Sequence, residues 1–372
     1  MISVLSQAIA WLIAIVFLAA CAGIPVRGTV GGQTIETRVD SEVARYYLAD
    51  YLAGKRSNTI VDERIDQVSS ESLNGLPDRD RLKRLSDDFS VDFAALFFAD
   101  RVARISSNRE FRVAFNRVRD NVNKGFPQGD ISLPVGAANY EVVLVPGYLY
   151  RRHPVTGADL ALPRAALRRV GLAHYFVETV EDGAIEANAD LVAAAIRARG
   201  QTGRRMIVVS VSKSGPEVAL ALTRLGPNDS RRVAAWVNIA GTLHGSPLAD
   251  NRLLQVEELV GRVDVSGVES LSTQRSRQRF NGFHIPGHVL IVNYIGIPLT
   301  GSISMLARGG YAQLRAYGPN DGLSLLSDLI APNAVTLAEL GRDHFLLDDR
   351  VDVTTVALAF AVIQTLEERH GK

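Results

Sequence analysis

One serine stands where a hydroxyl could do chemistry. Ser212 lies inside the stretch Met206 to Leu222, which reads MIVVSVSKSGPEVALAL. Met206 to Val211 is apolar and β-branched apart from Ser210, the pattern of a strand buried on both faces. Pro216 and Glu217 suit the first turn of a helix, where no intrahelical donor is needed and negative charge is favoured. Val218 to Leu222 continues that helix. A serine hydroxyl is a weak nucleophile at neutral pH. It becomes effective when an imidazole takes its proton during attack and returns it to the leaving group, with a carboxylate orienting the imidazole. Backbone amides must also hold the oxyanion that forms, an effect on the order of 10²–10³ in rate per donor.

The strand–serine–helix junction resembles the nucleophile elbow of the α/β-hydrolases, whose G-x-S-x-G pattern puts Ser212 at its centre. The residues two before and two after are Ser210 and Ser214 rather than glycine, and Gly215 follows. Gly318-Pro319-Asn320-Asp321-Gly322-Leu323 is by itself a tight-turn sequence. Lipases and esterases hold their acid in a similar N-D-G loop, so the resemblance implies that Asp321 is the acid. Gly341-Arg342-Asp343-His344-Phe345 resembles the family's D-H-x loop, which implies His344 as the base. Ser212, Asp321 and His344 then follow the family's chain order. Asp343 is a rival acid because it adjoins His344, but neighbouring side chains in a loop point apart; Asp328 is a weaker rival. His244 ranks below His344 because family order puts the base last, and His153 reads as a surface residue. The loop after an early strand supplies one oxyanion donor in this family. Pro146-Gly147-Tyr148 aligns with it, so the implied donors are the amides of Tyr148 and Lys213.

Elements that could position these groups alternate through the second part of the chain. Strands are expected at Tyr140 to Pro146, His174 to Thr179, Met206 to Val211, within Arg231 to Ala240, at His288 to Tyr294 and at Ala334 to Leu340. Helices are expected at Glu186 to Arg199, after Ser214 and at Val353 to Glu368. The expected class is α/β: an α/β-hydrolase fold with a mostly parallel sheet flanked by helices and an N-terminal helical extension. The resemblance covers about Tyr140 to Lys372, in a hydrolase domain spanning 134–372. Leu253 to Phe283 breaks the alternation, with a helix at Leu254 to Val260 and a polar run through Ser270 to Arg279. The family inserts caps at this point, so 251–285 reads either as a lid or as a surface excursion.

Residues 21–133 read as a tether followed by helices. Ile24 to Asp40, with Gly28, Gly31 and Gly32, looks like a tether or irregular arm. Ser41 starts a helical stretch with Val43, Tyr46, Tyr47 and Tyr51 on one side. Asn58 to Arg81 is polar and carries no assignment. Ser90 caps a helix from Val91 to about Ile105, and another runs from about Asn108 to Val122. Arg101, Arg104, Arg109, Arg112, Arg117 and Arg119 make these two helices basic. A solvated face with acidic neighbours such as Asp92, Asp100 and Glu110 is preferred to a headgroup-binding surface.

Ala8 to Ala22 is apolar but shorter than the roughly 20 residues that span a bilayer, and matches a signal-peptide core. Its end, Leu18-Ala19-Ala20-Cys21, resembles the lipobox of bacterial lipoproteins. That resemblance implies a signal peptide over 1–20, a lipidated Cys21 as mature N-terminus, and anchoring in the cell envelope. By the same family analogy, Ala22 rather than Asp after the cysteine implies the outer membrane, facing the periplasm, in a host that has one.

Composition leaves these readings open and removes others. The chain has 372 residues, is 47% hydrophobic and 22% charged, and carries a net charge of +1. That balance offers no argument for nucleic acid as a partner. Cys21 is the one cysteine, so no intrachain disulfide can form, and the seven histidines show no zinc-site spacing. No cofactor and no metal are expected. The resemblance implies a serine hydrolase acting on carboxylic esters, with lipid or acyl esters as substrates and the membrane as partner through the anchor. A thioesterase or acyltransferase with the same three residues, and a lipoprotein scaffold without catalysis, are the alternatives.

Overall fold

The computed structural model describes residues 23–71, 75–127, 129–250, 265–281 and 284–370. Cys21, the signal peptide expected over 1–20 and the helix expected at Leu254 to Val260 lie outside the described residues. The stretch expected to be an irregular arm is an antiparallel hairpin of β1 (Ile24–Val30) and β2 (Gln33–Val39). Gly31 and Gly32 join the strands at φ of 56° and 81°, the two positive values that a two-residue hairpin turn needs.

Helix α1 (Glu42–Tyr46) is capped by the Ser41 side chain, which accepts from the Ala44 amide, and runs on into a π-helical turn at Tyr47–Tyr51. Two helices, α2 (Thr59–Glu71) and α3 (Arg79–Asp88), occupy the polar stretch that carried no assignment. α4 (Val91–Arg104) is capped by Ser90, and α5 (Ser106–Gly125) follows it. α4 is buried from Val91 to Asp100. Its Phe93 and Phe97 share a core cluster with Ile295, Ile297 and Ala338 of the main sheet, so the N-terminal helices pack onto one side of that sheet. Arg112 departs from the solvated face expected of it: it pairs with Glu339 and donates to the Ala338 carbonyl.

The main sheet alternates with helices: β3 (Tyr140–Val145), α6 (Ala161–Arg169), β4 (His174–Phe176), α7 (Ile185–Arg199), β5 (Arg205–Val211), α8 (Ser214–Arg224) and β6 (Val233–Ile239). The insertion contributes α9 (Ser266–Ser270) and α10 (Thr273–Phe280). Then come β7 (Leu290–Ile297), α11 (Arg308–Leu314), β8 (Val335–Leu340) and α12 (Val351–His370). The six strands lie in the order β4-β3-β5-β6-β7-β8, and every pair is parallel. Alternate residues build two cores. Val142, Leu144 and Ile207 face α5, α6 and α12; Val143, Val145 and Val208 face α7 and α8. From β3 the chain steps out to β4 and then returns to β5 on the other side of β3. Ligands of open parallel sheets bind at the carboxyl ends of the strands beside such a reversal. Ser212 follows β5 and Gly147 follows β3, with Val145 and Ser210 in register.

Candidate active site

Ser212 sits at φ +55°, a left-handed conformation that a side chain rarely adopts, and this lifts its hydroxyl off the strand direction. Its amide donates to the Ile239 carbonyl at 2.9 Å, and its own carbonyl accepts from Gly215 at 2.9 Å. The serines in place of the elbow glycines have partners. Ser210 Oγ accepts from the Trp236 indole at 2.8 Å. Ser214 Oγ accepts from the Val211 amide at 2.7 Å and donates to the Val145 carbonyl at 2.9 Å. The tight packing falls on two glycines instead. A Cβ at Gly215 would stand 2.7 Å from both Asn238 Oδ1 and Gly241 Cα, and one at Gly241 would stand 1.9 Å from Asn238 Oδ1.

A buried polar row runs across the sheet one level below the elbow. Ser210, Asn238, Asn293 and Thr336 are register partners on β5, β6, β7 and β8. Asn238 Nδ2 donates to Asn293 Oδ1 at 3.1 Å, and Asn293 Nδ2 donates to Thr336 Oγ1 at 3.2 Å. A fully bonded interior network of this kind resists displacement, because each group would lose a partner it cannot replace with water.

The loops after β7 and β8 bring the other two groups. His344 Nε2 lies 2.9 Å from Ser212 Oγ, and His344 Nδ1 lies 2.7 Å from Asp321 Oδ2. The second oxygen of Asp321 accepts from the amides of Leu323 at 2.9 Å and Ser324 at 2.7 Å. The His344 amide donates to the Asp321 carbonyl at 2.8 Å, so the two loops are also tied through the backbone. Gly322 is required in the turn: its φ is +104°, and a Cβ there would stand 2.6 Å from Ala307 Cβ. The carboxylate, imidazole and hydroxyl thus form one line of hydrogen bonds ending at the sheet edge. In such a line a proton can pass from the hydroxyl to the imidazole while the carboxylate fixes the ring and balances its charge.

The rival residues have other partners. Asp343 accepts from the amides of Ser304 at 2.7 Å and Phe345 at 3.1 Å, so its carboxylate serves backbone turns. Asp328 pairs with Arg79 of α3. His244 packs edge-on against Phe280, and burial pushes its pKa down. His153 is exposed.

Tyr148 lies between two engaged amides: Gly147 donates to the Ala158 carbonyl and Leu149 to the Glu181 carbonyl, each at 3.0 Å. A Cβ at Gly147 would come within 3.6 Å of Ser212 Cβ, so the loop passes close beside the hydroxyl. Lys213 immediately precedes α8, where amides have no carbonyl one turn back to bond. Its side chain is buried and pairs with the buried Glu217 one turn along. Burial pushes the Glu217 carboxyl up, and the Lys213 ammonium opposes that shift. Asn188 of α7 donates to Glu217 at 2.8 Å and clamps both the amide and the carbonyl of Val180. This link from the residue after Ser212 to the neighbouring helix was not foreseen in the sequence. Its one visible signal is the four-residue spacing of opposite charges.

A cavity of about 520 Å³ opens beside these groups, with Ser212 and His344 among its lining. None of the described residues of the 251–285 insertion lines it. The described part of that insertion packs beside it: Gly267 lies against the Tyr148 ring, Thr273 bonds Asp250, and Arg279 pairs with Glu186 of α7.

No protein-family profile and no curated protein sequence matches the chain. Among solved structures, a metagenomic carboxyl esterase superposes with a TM-score of 0.52 at 24% identity, covering 64% of this chain and 79% of that one. The mature form of the Bacillus licheniformis lipase BlEst2 aligns over 64% of this chain and 96% of its own, at 23% identity and a TM-score of 0.49. EstA from Clostridium botulinum aligns over 68% and 96%, at 12% identity and a TM-score of 0.44. With the parallel strand order and the strand–turn–helix junction at Ser212, the first of these likenesses shows that the chain has the α/β-hydrolase fold.

Proposed function

We propose that the protein is a serine hydrolase that cleaves carboxylic esters with apolar acyl groups through an acyl-serine intermediate. The observation that carries this reading is the unbroken line from Asp321 through His344 to Ser212, at 2.7 and 2.9 Å. Ser212 Oγ attacks the ester carbonyl as its proton passes to His344 Nε2. Asp321 holds the ring and stabilises the imidazolium. The amides of Tyr148 and Lys213 bind the oxyanion of the tetrahedral intermediate. His344 then protonates the departing alkoxide, which breaks the ester C–O bond and leaves the acyl group on Ser212. Water repeats the sequence: His344 takes its proton, the carboxylic acid departs, and Ser212 recovers its hydrogen.

The test is hydrolysis of p-nitrophenyl butanoate by purified protein. Ser212→Ala and His344→Ala should each lower kcat by about 10⁴-fold or more, as single losses from such a unit do. A folded Ser212→Ala protein that keeps wild-type turnover excludes this mechanism.

We also propose a lipid anchor at Cys21 and a place in the bacterial outer membrane facing the periplasm. Support comes only from the lipobox-like Leu18-Ala19-Ala20-Cys21 and the apolar run before it. Metabolic labelling with palmitate should mark the wild type and not Cys21→Ser; equal labelling of both rules the anchor out.

A further inference from the structure

The cavity at Ser212 does not stop at the sheet edge. It continues down the face of the sheet, between β3, β5 and β6 on one side and α6 and α12 on the other. Along β5 its wall is Ile207, Val209 and Val211, the alternate residues of one face. Ile207 is level with Val142 in the strand register and five residues before Ser212. At about 3.3 Å per residue Ile207 lies roughly 16 Å from the hydroxyl, and there it and Val142 are almost fully buried and form the floor of the cavity. Along α12 the wall is Val351, Thr355, Leu358 and Ala359, one stripe of that helix. Val209 and Val211 are only half-buried although β5 lies inside the sheet, whereas Val208 and Ser210 on its other face are fully buried. The half-burial reports room against that face.

The chemistry of the wall changes with depth. Polar groups gather at the mouth, where Ser212, His344 and Asp348 lie. Thr354, further in, already donates its hydroxyl to Asp348 at 2.6 Å. Below Thr355 the wall is aliphatic, with Val142, Ile207, Leu358 and Ala359 lining it. Apolar cavities of this kind accept hydrocarbon and exclude water.

We propose that this channel is the acyl site, taking one unbranched medium-to-long acyl chain lengthwise along the sheet, with Val209 and Ala359 setting the length accepted. The inference rests on the ester-hydrolase reading for its kinetics and on the cavity alone for its binding. Val351 lies beside the mouth; Ala359, eight residues on, is roughly 12 Å deeper along α12. Bulk at Ala359 closes the floor, and bulk at Val209 closes the channel part-way.

The experiment uses p-nitrophenyl esters of acetate, butanoate, octanoate, dodecanoate and hexadecanoate with wild type, Ala359→Phe and Val209→Phe, each first checked by thermal unfolding. In the wild type kcat/KM should rise with chain length to at least octanoate. The dodecanoate-to-butanoate ratio should fall by about tenfold in Ala359→Phe, since methylenes that lose their pocket each carry up to about that discrimination. In Val209→Phe the optimum should move to a shorter chain. A ratio that stays within about twofold in both folded variants overturns the proposal. If the wild type cleaves no ester, calorimetry with dodecanoate separates the two readings. Binding that is lost in Ala359→Phe keeps the acyl channel while the hydrolase reading fails; no binding to wild type ends the channel as well.

Discussion

The two faces of β5 are made of the same kinds of residue and serve opposite ends. Val208 and Ser210 are sealed against α7, α8 and the polar row, with Gly215 and Gly241 in contact beside them. Val209 and Val211 on the other face are half-buried and border the cavity beside α12, and Ile207, itself buried, closes it below. The sealed face has no freedom to relax, and so it fixes the strained turn at Ser212. The open face forgoes contacts that a filled core would make, and leaves room for a ligand. Rigidity behind Ser212 and space in front of it thus come from one strand.

The largest effect should come from the ion pair on the sealed side. Glu217→Ala leaves Lys213 buried without its partner and should cost about 4 kcal/mol in urea unfolding; a loss below about 1 kcal/mol contradicts its place in a closed interior. Gly241→Ala forces a methyl into Asn238 and should cost about 3 kcal/mol, because the packed turn cannot make way.

A second closed region gives a pH signature. Asp92 is buried where the N-terminal hairpin meets the loop after β7, and its carboxylate accepts from the amides of Asp40 and Thr300. Burial, then the neighbouring Asp40, pushes its pKa from 3.8 up to about 6. Between those values the folded protein binds more proton than the unfolded chain, so stability falls as pH rises from about 4 to about 6 and is level above. That part of the slope should amount to about 3 kcal/mol. Asp92→Asn should flatten it in melts taken across that range; an unchanged slope assigns it to other groups.

The smallest effect is the most specific to the comparison. Val208→Ala should cost about 2 kcal/mol, and Val209→Ala about 1 kcal/mol or less, because the second methyl pair already borders a void. Equal losses by denaturant unfolding would mean that the two faces are packed alike.

The sequence carried the strand–serine–helix junction and the parallel alternation because both depend on local patterns. Which carboxylate faces the His344 ring follows the same local logic, since Asp321 lies 2.7 Å from Nδ1. Adjacent loop side chains diverge, and Asp343 is taken up by two backbone amides. The β1–β2 hairpin was misread although Gly31-Gly32 marks its turn, since glycines spaced through a short polar stretch look equally like a tether. The channel was not legible. Val209 has the same type and spacing as the core valines around it, and only the distance to α12 makes it a wall. The tolerance of Ser210 and Ser214 at the elbow likewise depends on Trp236 and Val145, partners far off in sequence.

The convergence of three loops on one hydroxyl is tested most directly by covalent capture. The folded protein is treated with a fluorophosphonate, digested, and its adduct located by mass spectrometry. The account predicts a single adduct on Ser212, slowed by about 10³-fold or more in His344→Ala and absent in Ser212→Ala. An adduct on another residue, or a wild-type labelling rate in folded His344→Ala, would contradict it.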